Sequence, residues 1–390
     1  MKRGGGGGPF LPYAGGVTPA ELSRATLCAV HGAVADGELS VTVPERVVVR
    51  APMPGEGGGG ETDLACNVAL RIAKEAGRPP REVAEVLRRR LAGVPGVAGV
   101  EIAGAGFLNV TLTGPARAEF VWSVRERGAL PTPGAGVGGT TVVLRAAPGV
   151  RAAVVVEALG RILSAGGAEG AGEAGEAGEL RGEVMCPRPV KVSYEEGFSY
   201  AGTAVSAEGA ASGPLASTPH EWRALTARLG PDEARWVLLR TAQHDAVRLP
   251  ARPVQRESNG RFWVQYAYAR TCAMTRNARE LGFAAEPGDV GADEGGGWEV
   301  REVREVWAAM AEYSGVVEAA ARHRAPDRVA RHLEVTADAW LRCHEVCPPL
   351  PVGEEKPSAV HRARLALAEA AGTVLAHGLH LLGISTPERL

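Results

Sequence analysis

Cys343, His344 and Cys347 lie close together in the sequence, and their side chains are of the types that hold zinc in proteins. The two cysteines are four residues apart, so on a helix they would lie one turn from each other. A structural zinc site needs four ligands, however, and no fourth one is evident. Thiols on helices are mostly packed side chains. We therefore expect packed thiols here, and the sequence predicts neither a metal site nor a cofactor.

The charge of the chain is nearly balanced, with 43 basic and 45 acidic residues and a formal net charge of −2. This balance gives no reason to expect nucleic-acid binding by the chain as a whole, so any contact with RNA must come from local patches. Few of the basic residues are lysines, which excludes any motif that needs two neighbouring lysines. No stretch approaches the ~18 apolar residues of a membrane-spanning helix, and the scattered cysteines suit a reducing compartment. We expect a cytoplasmic monomer without membrane contact.

The elements that could position functional side chains begin with an α/β domain over residues 17–130. Thr18 and Glu21 are spaced as a capping box for a helix that ends near Asp36. The β-branched residues 47–49 predict a short strand. Apolar spacing then predicts a helix at 64–76, a helix from 79, strands at 97–103 and 107–112, and a helix at 115–127.

Low-complexity stretches separate this domain from a helical half. Residues 1–16 carry consecutive glycines and are expected to form a disordered tail. Residues 131–217 contain an apolar helix at 150–163 and a flexible Gly/Ala/Glu repeat. Residues 218–390 show the apolar stripes of an all-α bundle, so the fold class is multidomain, α/β plus all-α. One predicted helix there begins at Thr218, and the others lie at 231–241, 258–281, 299–313, 316–324, 329–346 and 358–382.

Three stretches of the N-terminal domain carry a resemblance to a known family. They read DLACNVA at 63–69, PPREVA at 79–84 and IAGAGFLN at 102–109. In this order they resemble the N-terminal domain of arginyl-tRNA synthetases, which binds the D-loop at the elbow of tRNA. The resemblance implies that residues 17–130 form such an α/β elbow-binding domain.

The C-terminal half resembles the same family at further places. These are LGPDEARW at 229–236, WVQYAYAR at 263–270 and the closing segment from Arg362 to Leu390. They are similar to the helix after the family's catalytic core and to the start and end of its anticodon-binding bundle. The resemblance implies that residues 218–390 form an α-helical anticodon-binding bundle of the DALR type.

The chemistry of amino-acid activation has requirements that the middle of this sequence lacks. The family uses imidazoles against the α-phosphate of ATP and lysines against the developing charge of pyrophosphate. No histidine occurs between His31 and His220, so its His-x-Gly-His motif is absent there. Lys191 and Ser193 resemble a degenerate Lys-Met-Ser-Lys loop. We interpret residues 131–217 as a vestigial class I catalytic remnant, and we expect no catalytic residues and no enzymatic activity.

The resemblance also implies contact residues in the N-terminal domain. The candidates for binding the tRNA elbow are Asp63, Asn67, Arg78, Phe107 and Asn109. Asp63 and Asn67 would lie one helical turn apart and face RNA together, or Asp63 could cap the helix instead. Phe107 could stack on a base, or it could be a core residue beside glycines.

A second set of candidates lies in the helical half. The anticodon-binding candidates are Gln265, Tyr268, Arg270, Arg276, Trp340 and His344. Arginine contributes phosphate contacts and stacks on bases, whereas Tyr266 is expected in the core. Cys343 and His344 stand where the family has a Phe-Tyr pair.

From these features we expect a non-catalytic relative of arginyl-tRNA synthetases that binds tRNA, specifically arginine tRNA. It would present or regulate that tRNA, with a partner enzyme if one exists. Two alternatives stay open. Arginine–tRNA ligase activity would be retained or completed by a partner, or the chain would be a protein-interaction scaffold without tRNA binding.

Overall fold

The computed structural model describes residues 17–52, 62–127, 149–166, 219–291 and 297–390. The chain forms two compact units, Met1–Phe120 and Val121–Leu390. The predicted tail at 1–16, the Gly/Ala/Glu repeat, and Lys191 and Ser193 lie outside the described residues. The division of the chain into four segments stays a prediction.

The first unit contains an antiparallel sheet with the strand order β1-β2-β4-β3, together with helices. Its elements are α1 (Pro19–Ala35), β1 (Val49–Arg50), β2 (Leu64–Cys66), α2 (Val68–Ala76), α3 (Pro80–Leu91), β3 (Val97–Ala103) and β4 (Phe107–Leu112), and α4 (Gly114–Arg127) begins in it. The predicted hairpin of β3 and β4 is confirmed. Leu64, Leu87 and Leu108 are fully buried in the core of this unit.

Local signals at the ends of the helices are confirmed. The Thr18 hydroxyl accepts a hydrogen bond from the Glu21 amide at 3.1 Å, and the Glu21 carboxylate accepts one from the Thr18 amide at 2.8 Å. This reciprocal pair satisfies two amides at the start of α1 that have no partner within the helix. Gly77 ends α2 in the left-handed conformation with a φ of 60°, which glycine adopts without a steric penalty.

The helix predicted over residues 64–76 is wrong in its first turn. Leu64–Cys66 is strand β2, which pairs with β4, and α2 begins only after it. An apolar spacing of four residues suits both arrangements, and pairing with a strand far along the chain decides between them. Asp63 and Asn67 therefore do not lie on one helix.

The second unit is a helical bundle, which confirms the helical character predicted for this half over residues 219–291 and 297–390. Its helices are α5 (Val150–Gly166), α6 (Pro219–Leu229), α7 (Pro231–Arg240), α8 (Gly260–Glu280), α9 (Arg301–His323), α10 (Asp327–Val346) and α11 (Ala359–Leu382). Two helices were expected where α9 is continuous. Gly315 lies inside α9 and is exposed, which costs roughly 1 kcal/mol relative to alanine. The packing of α9 along α10 outweighs this cost.

Helix α5 is confirmed, and it packs on α7, α9 and α11 as a member of the bundle. The Arg151 guanidinium near its start donates hydrogen bonds of 2.7 to 3.3 Å to the carbonyl oxygens of Leu238, Thr241, Ala242 and Asp245. These carbonyls lie at and beyond the end of α7, where main-chain oxygens have no partner within the helix. Nothing in the described part of the chain identifies α5 as a catalytic remnant, because its contacts are those of a bundle helix.

Helix α11 is long and apolar enough to cross a membrane, but 72% of its most apolar window is buried inside the protein. Two glycines allow neighbouring helices to approach it closely. A Cβ on Gly372 would lie 2.5 Å from Oγ1 of Thr271 in α8, and one on Gly378 would lie 2.4 Å from Cδ2 of Leu333 in α10. The apolar character of α11 is thus explained by its central place in the bundle.

A buried histidine should make the bundle sensitive to acid. His332 is 7% exposed, its Nε2 lies 2.8 Å from the Ala309 carbonyl oxygen, and burial lowers its pKa from 6.5 to about 4. Below pH 6.5 the unfolded chain takes up a proton at His332 that the folded bundle refuses until about pH 4. The contribution of His332 to stability is therefore complete above pH 6.5 and is lost as the pH falls towards 4.

We expect His332→Gln to lose less unfolding free energy than the wild-type chain between pH 7 and pH 5. The variant lacks the one proton that His332 takes up on unfolding. Urea unfolding followed by tryptophan fluorescence at several pH values measures it. His323 is exposed at the end of α9, so His323→Gln is the matched control for loss of an imidazole outside the core. An equal pH dependence in the wild-type chain and His332→Gln would contradict this account.

Candidate nucleic-acid interface

Two of the elbow candidates are buried in the first unit. Asp63 is 5% exposed and Asn109 is 1% exposed. The Asp63 carboxylate accepts hydrogen bonds from the Arg117 guanidinium at 3.0 to 3.1 Å and from the Leu112 amide at 2.7 Å. The expectation that Asp63 faces RNA is wrong, because its charge is neutralised inside the unit by an arginine of α4. It also caps no helix, since Asn67 precedes α2. Asn109 is likewise too buried to contact a ligand.

Two other elbow candidates come together at the surface. Asn67 and Phe107 are half-buried, and they line one shallow depression with Arg50, Val48, Ala65 and Cys66. The side chain of Asn67 makes no capping bond to α2. Arg78 is exposed but does not line this depression. The structure thus brings together two of the five predicted residues.

The second unit has a groove of about 710 Å³ between α8, the end of α10 and the segment before α8. We call it the α8–α10 groove. Its lining residues are Gln255, Arg256, Glu257, Ser258, Phe262, Trp263, Tyr266, Arg270, Leu341, His344 and Glu345. Aromatic rings and an arginine thus face the same space as a histidine.

Three aromatic rings near the start of α8 form one wall of the groove. Tyr266 stacks on Phe262 with ring centroids 6.0 Å apart and on Trp263 with centroids 5.8 Å apart. The indole N–H of Trp263 donates to Oδ1 of Asp338 at 2.8 Å, which fixes the orientation of that ring. Flat faces held in this way can stack on the bases of an unpaired nucleic-acid strand.

Arg270 and His344 form the polar part of the groove. Nη2 of Arg270 lies 3.4 Å from Nε2 of His344, and the edge of the Trp340 ring packs against the imidazole with centroids 5.7 Å apart. Partial burial and the neighbouring Arg270 charge lower the pKa of His344. At neutral pH the imidazole is therefore uncharged, and the positive charge of the pair stays on the guanidinium.

Two other anticodon candidates have structural roles. Gln265 is 1% exposed, and its amide donates to Oδ2 of Asp232 at 3.0 Å and to the Ser385 carbonyl at 2.9 Å. The expectation that Gln265 contacts RNA is wrong, because its amide joins α8 to α7 and to the segment after α11. Trp340 is 1% exposed and supports His344 from within the core, so it is not a contact residue either.

Tyr268 and Arg276 lie outside the groove. Nη1 of Arg276 donates to the Glu388 carbonyl at 3.3 Å. Burial and a hydrogen bond with Cys272 raise the pKa of Tyr268 to about 12. Arg276 therefore contacts the segment that follows α11, whereas Tyr268 contacts Cys272 of its own helix.

The prediction from sequence missed the aromatic wall. Tyr266 was expected in the core, but it is half-exposed and lines the groove together with Phe262 and Trp263. The spacing of Trp263, Tyr266 and Arg270 places them on one helix face, which was the available signal. Of the six candidates, only Arg270 and His344 line the groove.

Cys343 in α10 and Cys347 directly after it are packed thiols. Cys343 is 1% exposed and Cys347 is 5% exposed, and burial raises the pKa of the Cys343 thiol to about 12. Within the described ranges, no group of three potential metal ligands comes together.

Comparison with known proteins assigns both units. The family model of the arginyl tRNA synthetase N terminal domain matches residues 40–112, and that of the DALR anticodon binding domain matches residues 264–390. The chain is 29% identical over 564 aligned residues to the arginine–tRNA ligase of Frankia alni and 26% identical over 558 to that of Paenarthrobacter aurescens. Both alignments cover 96% of this chain and 100% of the relative.

Two solved structures share the fold. The arginyl-tRNA synthetase of Thermus thermophilus matches with a TM-score of 0.59 at 14% identity, covering 96% of this chain and 100% of that one. The arginyl-tRNA synthetase of Plasmodium falciparum matches with a TM-score of 0.57 at 8% identity, covering 95% and 99%.

The expectation that the chain is not an enzyme is contradicted by these relatives, because the match runs over the whole length of proteins that are arginine–tRNA ligases. That expectation treated the loss of two short motifs between His31 and His220 as the loss of the activity. The two domain models and the full-length relatives agree with each other, and the chain belongs to the arginyl-tRNA synthetase family.

Proposed function

We propose that this chain binds arginine tRNA through the α8–α10 groove and takes part in the ligation of arginine to that tRNA. The groove carries the proposal, because three aromatic rings and the Arg270–His344 pair face one space. Unpaired bases of an RNA loop stack on such rings and on guanidinium planes. The DALR anticodon binding model covers Tyr266, Arg270 and His344 of the groove.

Two further assignments belong to the same proposal. The depression lined by Asn67 and Phe107 contacts the elbow of the tRNA, and the exposed Arg78 adds a phosphate contact. Residues 131–217 are a shortened counterpart of the ligases' catalytic domain. A shortening is supported by the alignment with the Frankia alni ligase, which spans 564 positions although this chain has 390 residues.

The binding part of the proposal is tested with purified total tRNA. The chain is mixed with the tRNA pool at low and high salt, and the tRNAs retained on a filter are sequenced. Enrichment of arginine tRNAs, with an affinity that falls as salt is added, is the expected result. If no tRNA is retained at low salt, the proposal is wrong and the chain acts as a protein scaffold.

The ligation part needs a separate assay. Arginine-dependent exchange of ATP with pyrophosphate and charging of arginine tRNA are measured with the chain alone, and again after addition of a purified arginyl-tRNA synthetase. Activity of the chain alone indicates a retained ligase. Charging above the sum of the separate activities indicates a ligase that a partner completes. If neither occurs, the chain has no part in ligation.

A further inference from the structure

The segment between α7 and α8, residues 241–259, carries an arginine at every fourth position. Arg248, Arg252 and Arg256 are all exposed. None of their side chains forms an ion pair or a hydrogen bond with another residue in the part of the chain that the structure describes. The segment thus presents three arginines without an ion-pair partner to solvent, and its net charge is +1 (three basic minus two acidic residues).

Many arginines on the helices of the same unit are neutralised by neighbouring carboxylates. Examples are Arg240 with Glu334 at 3.0 Å, Arg261 with Glu233 at 2.6 Å, and Arg342 with Glu305 at 3.0 Å. Other exposed arginines of the unit, such as Arg223, do not line the α8–α10 groove. The unpaired arginines of residues 241–259 differ in lying on the segment that enters the groove, where they are a source of positive potential.

The segment is held in place although its arginines point outwards. The Arg228 guanidinium of α6 donates to the carbonyl oxygens of Pro250 at 2.8 Å and Ala251 at 3.3 Å. Val247 is fully buried. The end of the segment enters the α8–α10 groove, which Arg256 lines. A strand of RNA whose bases occupy the groove would thus meet this segment directly.

The charges around the groove decide where a phosphate backbone can run. Glu345 of α10 lines the groove, and its carboxylate would repel a phosphate placed beside it, so contacts there are confined to bases. Glu257 also lines the groove and offsets part of the charge of the neighbouring Arg256. Successive arginines of the segment lie at most ~14 Å apart along the chain, so the three can reach phosphates of several nucleotides.

We propose that residues 241–259 form a phosphate clamp, in which Arg248, Arg252 and Arg256 hold the backbone of the RNA strand whose bases enter the α8–α10 groove. This inference rests on the proposed function, since it requires RNA in the groove. The phosphate clamp adds a second contact surface beside the aromatic wall, and this surface does not depend on the RNA sequence.

The test is the salt dependence of tRNA binding by the full chain. The triple variant Arg248→Gln, Arg252→Gln, Arg256→Gln should bind more weakly at low salt. The slope of log affinity against log salt concentration should decrease by about 2, because each phosphate contact on a single strand contributes about 0.7. The three side chains are exposed and unpaired, so thermal unfolding should be unchanged.

The matched control removes the same charge elsewhere in the unit. Arg223, Arg279 and Arg328 are exposed and do not line the groove, and their triple glutamine variant should keep the slope of the wild-type chain. If wild-type protein binds tRNA but the two triple variants have equal slopes, the clamp is wrong and the proposed function stands. If wild-type protein binds no tRNA, both the clamp and the proposed function are overturned.

Discussion

Replacement of Tyr266 by alanine is expected to weaken binding of arginine tRNA by roughly 10- to 100-fold, because stacking of a base on an aromatic side chain is worth about 1–3 kcal/mol. Tyr266 is the middle ring of the aromatic wall and contacts both Phe262 and Trp263. Its loss removes one stacking surface and the ring that both neighbours stack on. Fluorescence anisotropy with labelled arginine tRNA measures the effect.

Tyr266→Phe is the matched control, because it keeps the ring and removes only the hydroxyl. We expect this variant to bind tRNA almost as well as the wild-type chain. The salt dependence of Tyr266→Ala should also stay that of the wild-type chain, since stacking neutralises no phosphate. Unchanged affinity in Tyr266→Ala, with the fold intact, would show that the α8–α10 groove is not the binding site.

Replacement of Asp63 by alanine should destabilise the first unit by about 3–5 kcal/mol, because it leaves a buried arginine without its counter-charge. The side chains of Asp63 and Arg117 are only 3% and 4% exposed, and they lie 3.0 Å apart. The Leu112 amide would also lose its acceptor. Hydrogen exchange of the β2 and β4 amides reports this unit separately from the bundle.

Two further variants separate the charge effect from a loss of packing. Asp63→Ala combined with Arg117→Met removes both charges, so it should be less destabilised than Asp63→Ala alone. Arg88→Gln breaks an exposed ion pair with Glu85 and should leave exchange in β2 and β4 unchanged. Equal protection in Asp63→Ala and the wild-type chain would mean that the ion pair does not stabilise the unit.

Elements whose signals are local were predictable from the sequence. The capping box at Thr18 and Glu21 and the hairpin of β3 and β4 need only residues that are neighbours along the chain. Strand β2 depends on pairing with β4, and Asp63 depends on an arginine 54 residues away. The spacing of residues along the sequence does not identify partners that are far apart along the chain.

The candidate site shows the same limit. Arg270 and His344 were found because each stands at a position that resembles the family, yet their proximity comes from the packing of α8 on α10. Gln265 and Tyr266 are adjacent, and their spacing alone does not decide which side chain is buried. The neighbours in the bundle decide it, because Asp232 and Ser385 enclose Gln265 and leave Tyr266 facing the groove.

The hydrogen bonds that join α7 to the segment after α11 have a consequence for synthesis. The Ser385 amide donates to the Asp232 carboxylate at 3.1 Å across a separation of 153 residues. At 5–20 residues per second, the ribosome needs roughly 8 to 30 s to make the second partner after the first. For that time α7 has already emerged while the bundle cannot close around it. The nascent chain should therefore expose apolar helix faces for many seconds, which makes it a natural client of ribosome-associated chaperones.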